Sequence, residues 1–125
     1  MAMTAALMMS GSVAQAQDVN IGRNNITLTS DLMTPETLWA MGRIGAVQAS
    51  PDGKKIVYQV GYYSVKENKG HQVLRVMDAD GKNDRLLTTS AKSEGDAAWL
   101  DNNTLAFLTG GQLWTMNADG TNRKQ

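Results

Sequence analysis

The chain copies part of itself. Leu74-Arg75-Val76-Met77-Asp78-Ala79-Asp80-Gly81-Lys82-Asn83 returns 39 residues later as Leu113-Trp114-Thr115-Met116-Asn117-Ala118-Asp119-Gly120-Thr121-Asn122. Upstream of each copy lies a related segment, Gln48 to Tyr58 before the first and Trp99 to Phe107 before the second. A period near 40 with turn residues at fixed places is the mark of a repeat architecture, in which one supersecondary unit covers the apolar faces of the next.

Each unit reads as short antiparallel strands. Pro51-Asp52-Gly53 is a turn, because proline presets its backbone angle, aspartate bonds its own backbone and glycine accepts the left-handed region. Ile56, Tyr58 and Val60 then alternate with Val57, Gln59 and Gly61, so the following strand carries apolar side chains on both faces and needs cover on both. Asp80-Gly81 marks a second turn that pairs residues 73–78 with 84–88, and Asp119-Gly120 repeats it. Four short strands in roughly 40 to 45 residues, with sheets apolar on both sides, predict the blades of a β-propeller. The expected fold is therefore all-β: an incomplete propeller of about two four-stranded blades, WD- or TolB-like, with blade one over 45–89 and blade two over 95–125. Blade two stops after three strands and the start of a fourth, which predicts that the chain is a piece of a larger ring, since propellers close with roughly four to eight blades.

Gly61 to His71 has only Thr109-Gly110-Gly111 as its counterpart, so blade one carries an insertion between its second and third strands, with the polar tip Lys66 to Gly70 expected to project into solvent or towards another domain. Residues 91–96 read as a polar connection between blades. Ahead of the repeats, Thr34-Pro35-Glu36-Thr37-Leu38-Trp39-Ala40-Met41 predicts a short helix capped by Thr34, with proline in the first turn, Glu36 at the positive end and Gly42 as the stop. Leu38, Trp39 and Met41 are expected to dock against the first blade or a neighbouring domain. Residues 17–44, the helix included, form a lead-in segment.

Residues 1–16 contain no charge, hold four of the eight methionines and end in Ala14-Gln15-Ala16. A short apolar run closed by small-x-small is the pattern of a secretory signal peptide, here without its basic first part, and predicts a secreted or periplasmic protein. The run is too short for a membrane span. With 12 basic and 12 acidic residues the net charge is zero, which gives no electrostatic reason to expect nucleic acid or an anionic membrane as partner. The absence of cysteine removes disulfides and thiolate metal sites.

The residue types that carry chemistry are sparse. No serine lies in a Gly-x-Ser-x-Gly elbow. His71, the only histidine, falls on the insertion and reads as a solvated hairpin residue rather than a base. Asp78, Asp80 and Asp84 have the look of a calcium loop, but the twelfth position is Thr89 and the second copy has Asn117 and Arg123 in place of Asp78 and Asp84, so turn geometry is the better reading. Trp99 and Trp114 fall on strands, where packing between blades explains them, with Trp39, better than a stacking platform for a ligand. No catalytic, cofactor-binding or metal-binding residue is expected, and no cofactor.

The run Met33 to Trp39, then Val47 to Tyr58, Val76 to Gly81 and Leu86-Leu87-Thr88 resembles the beginning of secreted bacterial peptidases of the prolyl oligopeptidase family, near the dipeptidyl-peptidase and acylaminoacyl-peptidase branches. The likeness covers about residues 32–125. It implies an N-terminal propeller that acts as a size filter over a C-terminal α/β-hydrolase domain, absent from this chain, whose serine, aspartate and histidine cleave short peptides. This chain would then be inactive alone, with peptides as partners of the missing domain. The resemblance also makes Glu67 a candidate for binding a substrate's free amino terminus, as propeller glutamates do in dipeptidyl peptidases, although a paired-glutamate motif is absent around it. The Ser-Pro-Asp-Gly and Asn-Ala-Asp-Gly elements occur also in TolB-like periplasmic propellers, which leaves a protein-binding scaffold without catalysis as the alternative. Two blades alone leave a strand edge and sheet faces uncovered, from which a homo-oligomer is a third expectation.

Overall fold

In the computed structural model, which describes residues 30–125, one short helix precedes two antiparallel sheets. The expected signal peptide and residues 17–29 of the lead-in segment lie outside the described residues. Helix α1 (Pro35–Ala40) begins as the sequence predicts, with Thr34 Oγ1 accepting the N–H of Thr37 at 3.2 Å. It ends differently. The chain turns extended at Met41, and Gly42 serves packing: a Cβ there would lie 2.7 Å from Cε1 of Tyr62.

The first sheet holds β1 (Arg43–Ala49), β2 (Lys55–Ser64), β3 (Lys69–Asp78) and β4 (Arg85–Leu86) in that order. The second holds β5 (Glu94–Trp99), β6 (Thr104–Thr109) and β7 (Gln112–Asn117), and a bridge from Thr115 to Lys124 starts a further pairing beside β7. The fold is all-β and propeller-like. The expected polar connection at 91–96 is a correction: Glu94 to Asp96 belong to β5, and Glu94 is buried at 1% exposure.

The recurring aspartates explain why the turns repeat. Asp52, Asp80, Asp101 and Asp119 each accept, through Oδ1, the backbone N–H two residues on, at 3.1, 3.0, 2.7 and 2.9 Å. A side chain that closes its own turn fixes where each strand stops and its neighbour starts. Gly110 and Gly111, with φ of +58° and +75°, make the two-residue hairpin between β6 and β7, a backbone only glycine enters without strain at both positions.

The insertion is mostly strand, not loop. Gly61 pairs with Gln72, Tyr62 with His71, Tyr63 with Gly70 and Ser64 with Lys69, so β2 and β3 run on together and turn over residues 65–68. Twelve residues separate the partners Val60 and Val73, where two separate their counterparts Thr109 and Gln112. The ladder continues because an antiparallel pair, once in register, satisfies each added backbone group at little cost. The tip itself is exposed at Lys66, Asn68 and Lys69.

The core lies between the sheets. Val57, Leu74, Val76 and Leu87 of the first half meet Ala97, Leu105, Phe107 and Met116 of the second, with Trp99 and Trp114 partly buried against them. The two sheets contribute opposite faces. Leu105 pairs with Met116 as Ile56 pairs with Met77, yet Leu105 is buried in the cluster while Ile56, on the far face of its own sheet from Val57, is not part of it. Sheets that stack in sequence must do this, front face against back face, which is why both faces of every strand are apolar.

Phe107 is fully buried at the centre of that interface, and Phe107→Ala is expected to cost about 3–5 kcal/mol. Urea unfolding followed by tryptophan fluorescence checks this, since Trp99 and Trp114 both touch the cluster.

Candidate binding site

Where β2 and β3 overrun their counterparts, the second sheet meets them only at Gln72, beside Gly95, and an open cavity of about 550 Å3 forms. Gly61, Tyr62, Tyr63, Gly70, His71 and Gln72 supply one side of it. Trp39 of α1, Arg43, Ile44 and Gly45 of β1, Gln59 of β2 and Ser93 just ahead of β5 supply the rest. A volume in this range suits a small ligand.

Local chemistry holds the walls in place. The rings of Trp39 and Tyr63 meet with centroids 5.2 Å apart and planes tilted by 52°, and Tyr63 donates its hydroxyl hydrogen to Asn68 Oδ1 at the hairpin tip. The guanidinium of Arg43 lies 4.6 Å over the Trp39 ring, a cation–π contact, and its Nη2 donates to the Leu38 carbonyl at 3.3 Å. Ser93 Oγ accepts the Gln72 N–H at 3.1 Å, and Gln59 Oε1 accepts the Asp96 N–H at 3.1 Å, so two side-chain bonds tie the cavity side of the first sheet to the second.

His71 corrects the sequence reading. It is half-buried on the rim of the cavity instead of solvated, because the hairpin that carries it is strand and Tyr62 stands opposite it. Its Nε2 is buried without a hydrogen-bond partner among the described residues. An unsatisfied buried polar atom costs about 1–3 kcal/mol. Glu67 lies at the hairpin tip and does not border the cavity. Its backbone N–H donates to Ser64 Oγ at 3.2 Å, and its carboxylate makes no hydrogen bond among the described residues.

The three aspartates of the calcium-like run go separate ways. Asp78 accepts the Asn83 amide at 2.6 Å, Asp80 closes its turn, and Asp84 forms an ion pair with Arg75 at 2.5 Å. Among the described residues no group of acidic or histidine side chains is arranged to hold a metal ion. Tyr58 completes the Asp84 cluster, donating to Oδ1 at 2.7 Å and accepting from Arg75 Nε at 3.1 Å. The Arg75 hydrogen bond holds the Asp84 carboxyl below the usual carboxylate range, while burial and then the Asp84 carboxylate push the Tyr58 hydroxyl up.

The repeat puts Arg123 where the first unit has Asp84, and the consequence is a second, deeper ion pair. Arg123 Nη1 meets Glu94 Oε1 at 2.6 Å, its Nη2 donates to the Leu87 carbonyl at 2.8 Å, and its guanidinium lies 5.2 Å from the Phe107 ring. Trp99 bonds across the sheets as well, its Nε1 donating to the Gln48 carbonyl at 3.2 Å. Sequence reasoning missed Glu94 and Arg123. The one available signal was the charge reversal at the Asp84 position of the repeat.

No protein-family model matches the chain. Its sequence is similar to that of Dipeptidyl-peptidase 5 from Porphyromonas endodontalis, 36% identical over 104 residues, which is 79% of this chain and 15% of that protein. The protein of the same name from Porphyromonas gingivalis is 34% identical over 84 residues, 66% of this chain and 12% of that one. The chain thus spans a small fraction of the length of the curated relatives it matches, and over that stretch it is related to dipeptidyl-peptidases.

Removing one partner of the buried pair strands a charge. Arg123→Met is expected to lose about 3–5 kcal/mol, and Arg123→Met with Glu94→Leu to regain most of it, read from urea midpoints. The carboxyl groups of Asp52, Asp84, Asp101 and Asp119 are all held below their ordinary value, by Ser50, Arg75, the Asn103 N–H and Thr121 respectively. Their pKa values are lower folded than unfolded, so the stability they add is present above the unfolded value of about 3.9 and is lost as pH falls through the folded values. The urea midpoint should stay level from neutral pH to about 5 and fall below about 4, with Asp84→Asn flattening part of the fall.

Proposed function

We propose that this chain is the leading propeller portion of a secreted serine peptidase of the prolyl oligopeptidase type, one that hydrolyses short peptides. The similarity to the two Porphyromonas dipeptidyl-peptidases over most of the chain carries this reading, and the stacked antiparallel sheets agree with it. In the proposed arrangement the sheets described above belong to a ring that screens substrates by size and contributes side chains to their binding, while a separate α/β-hydrolase domain supplies the nucleophile, base and oxyanion hole. The residues in this chain then act by holding shape. Arg123, Glu94 and Phe107 lock one sheet to the next, which keeps the opening of such a ring at a set width.

The reading is tested by extending the reading frame on both sides and expressing the longer polypeptide. Dipeptidyl 4-nitroanilides should be turned over by the longer protein, in a manner blocked by a serine-directed fluorophosphonate, and left untouched by the 125-residue chain alone. Turnover by the short chain, or a longer frame without a Gly-x-Ser-x-Gly elbow, overturns it; further Asp-Gly blades and no hydrolase domain favour a binding scaffold instead.

A further inference from the structure

We propose that the cavity between α1 and the extended β2–β3 hairpin binds a carboxylate carried on an aromatic or apolar body. Charge is the first observation. Arg75 and Arg123 each have a carboxylate partner, whereas Arg43, which borders the cavity, makes a single hydrogen bond, to the Leu38 carbonyl, and no ion pair among the described residues. Among the described residues no aspartate or glutamate borders the cavity to neutralise it. A guanidinium with free N–H groups pairs with a carboxylate through two parallel bonds, and the Trp39 ring beneath Arg43 keeps it oriented.

Room is the second observation. Gly61 sits inside a strand with an ordinary extended φ, so nothing in its backbone calls for glycine. A Cβ there would come no nearer than 3.9 Å to another atom, the Arg43 carbonyl oxygen. Glycine weakens a strand interior and is found where something approaches the backbone closely. Trp39 and Tyr63 offer aromatic surface for the body of the ligand.

The lack of a carboxylate also sets a selectivity. An α-ammonium group finds no counter-ion in the cavity, so an acylated amino acid or a peptide's C-terminal residue is preferred to a free amino acid. The carboxylate has two sources, the free end of a peptide or a small aromatic acid, and chain length tells them apart.

The test titrates the 125-residue chain with N-acetylphenylalanine, its amide and N-acetyl-Gly-Gly-Phe, following the indole NMR signals of Trp39, which borders the cavity. Both acids should move those signals saturably, and the amide should bind about tenfold more weakly or worse. Tighter binding of the tripeptide identifies a peptide C-terminus as the ligand; equal binding identifies the small acid. Arg43→Gln should weaken both acids about tenfold. Gly61→Val should abolish binding by filling the space, with the urea midpoint showing that β2 is intact, as valine suits a strand. No saturable shift of Trp39 by either acid, equal binding of acid and amide, or undiminished binding to a folded Gly61→Val chain overturns the proposal.

Discussion

Everything in this fold depends on apolar contact between two sheets. Each sheet is too small to bury its own side chains, and an apolar face left in water gains none of the free energy of burial. Stacked, they close Phe107, Leu105 and Met116 against Leu74, Val76 and Leu87. The backbone ladders within each sheet are local and follow from the turns. The relation between the sheets is not local, and it is this contact that makes one folded body of two hairpin units.

Polar groups then fix the angle and register that dispersion forces leave loose. Around the apolar cluster, Arg85 reaches the Ala118 carbonyl at 2.8 Å, Asp52 N–H reaches Asn102, Trp99 reaches Gln48, and Gln59 reaches the Asp96 N–H in the irregular part of β5. These bonds are directional, so a slide of one sheet over the other breaks several together. Arg123 is the deepest of them. It bonds Glu94 and Leu87 at once, in a place where the repeat would otherwise have put an aspartate, and a buried charge pair of this kind specifies geometry more than it adds stability.

The extended hairpin shows how an insertion changes a repeat without disturbing its core. Residues beyond Val60 and Val73 stay in the same ladder, so the stacked part of the sheet is unaffected, but they reach past the cover of the second sheet. The helix fills part of the gap through Trp39, and the rest is the cavity. A repeat unit is rigid where neighbours stack on it and free to vary where they do not, which is where binding surfaces arise on such scaffolds.

Much of this was legible in the residues alone. The Thr34 cap, the Asp-Gly turns, the alternation of β2 and the all-β, propeller-like class are set by side chains acting on backbone within a few positions, and such interactions read directly from spacing. The strand at Glu94, the continued ladder from Gly61 to Gln72, the half-buried His71 and the Gly42–Tyr62 contact were not legible. Each depends on a partner far along the chain: Glu94 on Arg123, His71 on Tyr62 and the hairpin, Gly42 on Tyr62, and the cavity on how far one sheet overhangs another. By itself the sequence determined the turns, the strands and the repeat, because those are short-range. Only the tertiary structure decided which charges are buried and where space is left, because burial and cavity shape are properties of two surfaces meeting, and no single stretch of chain contains both.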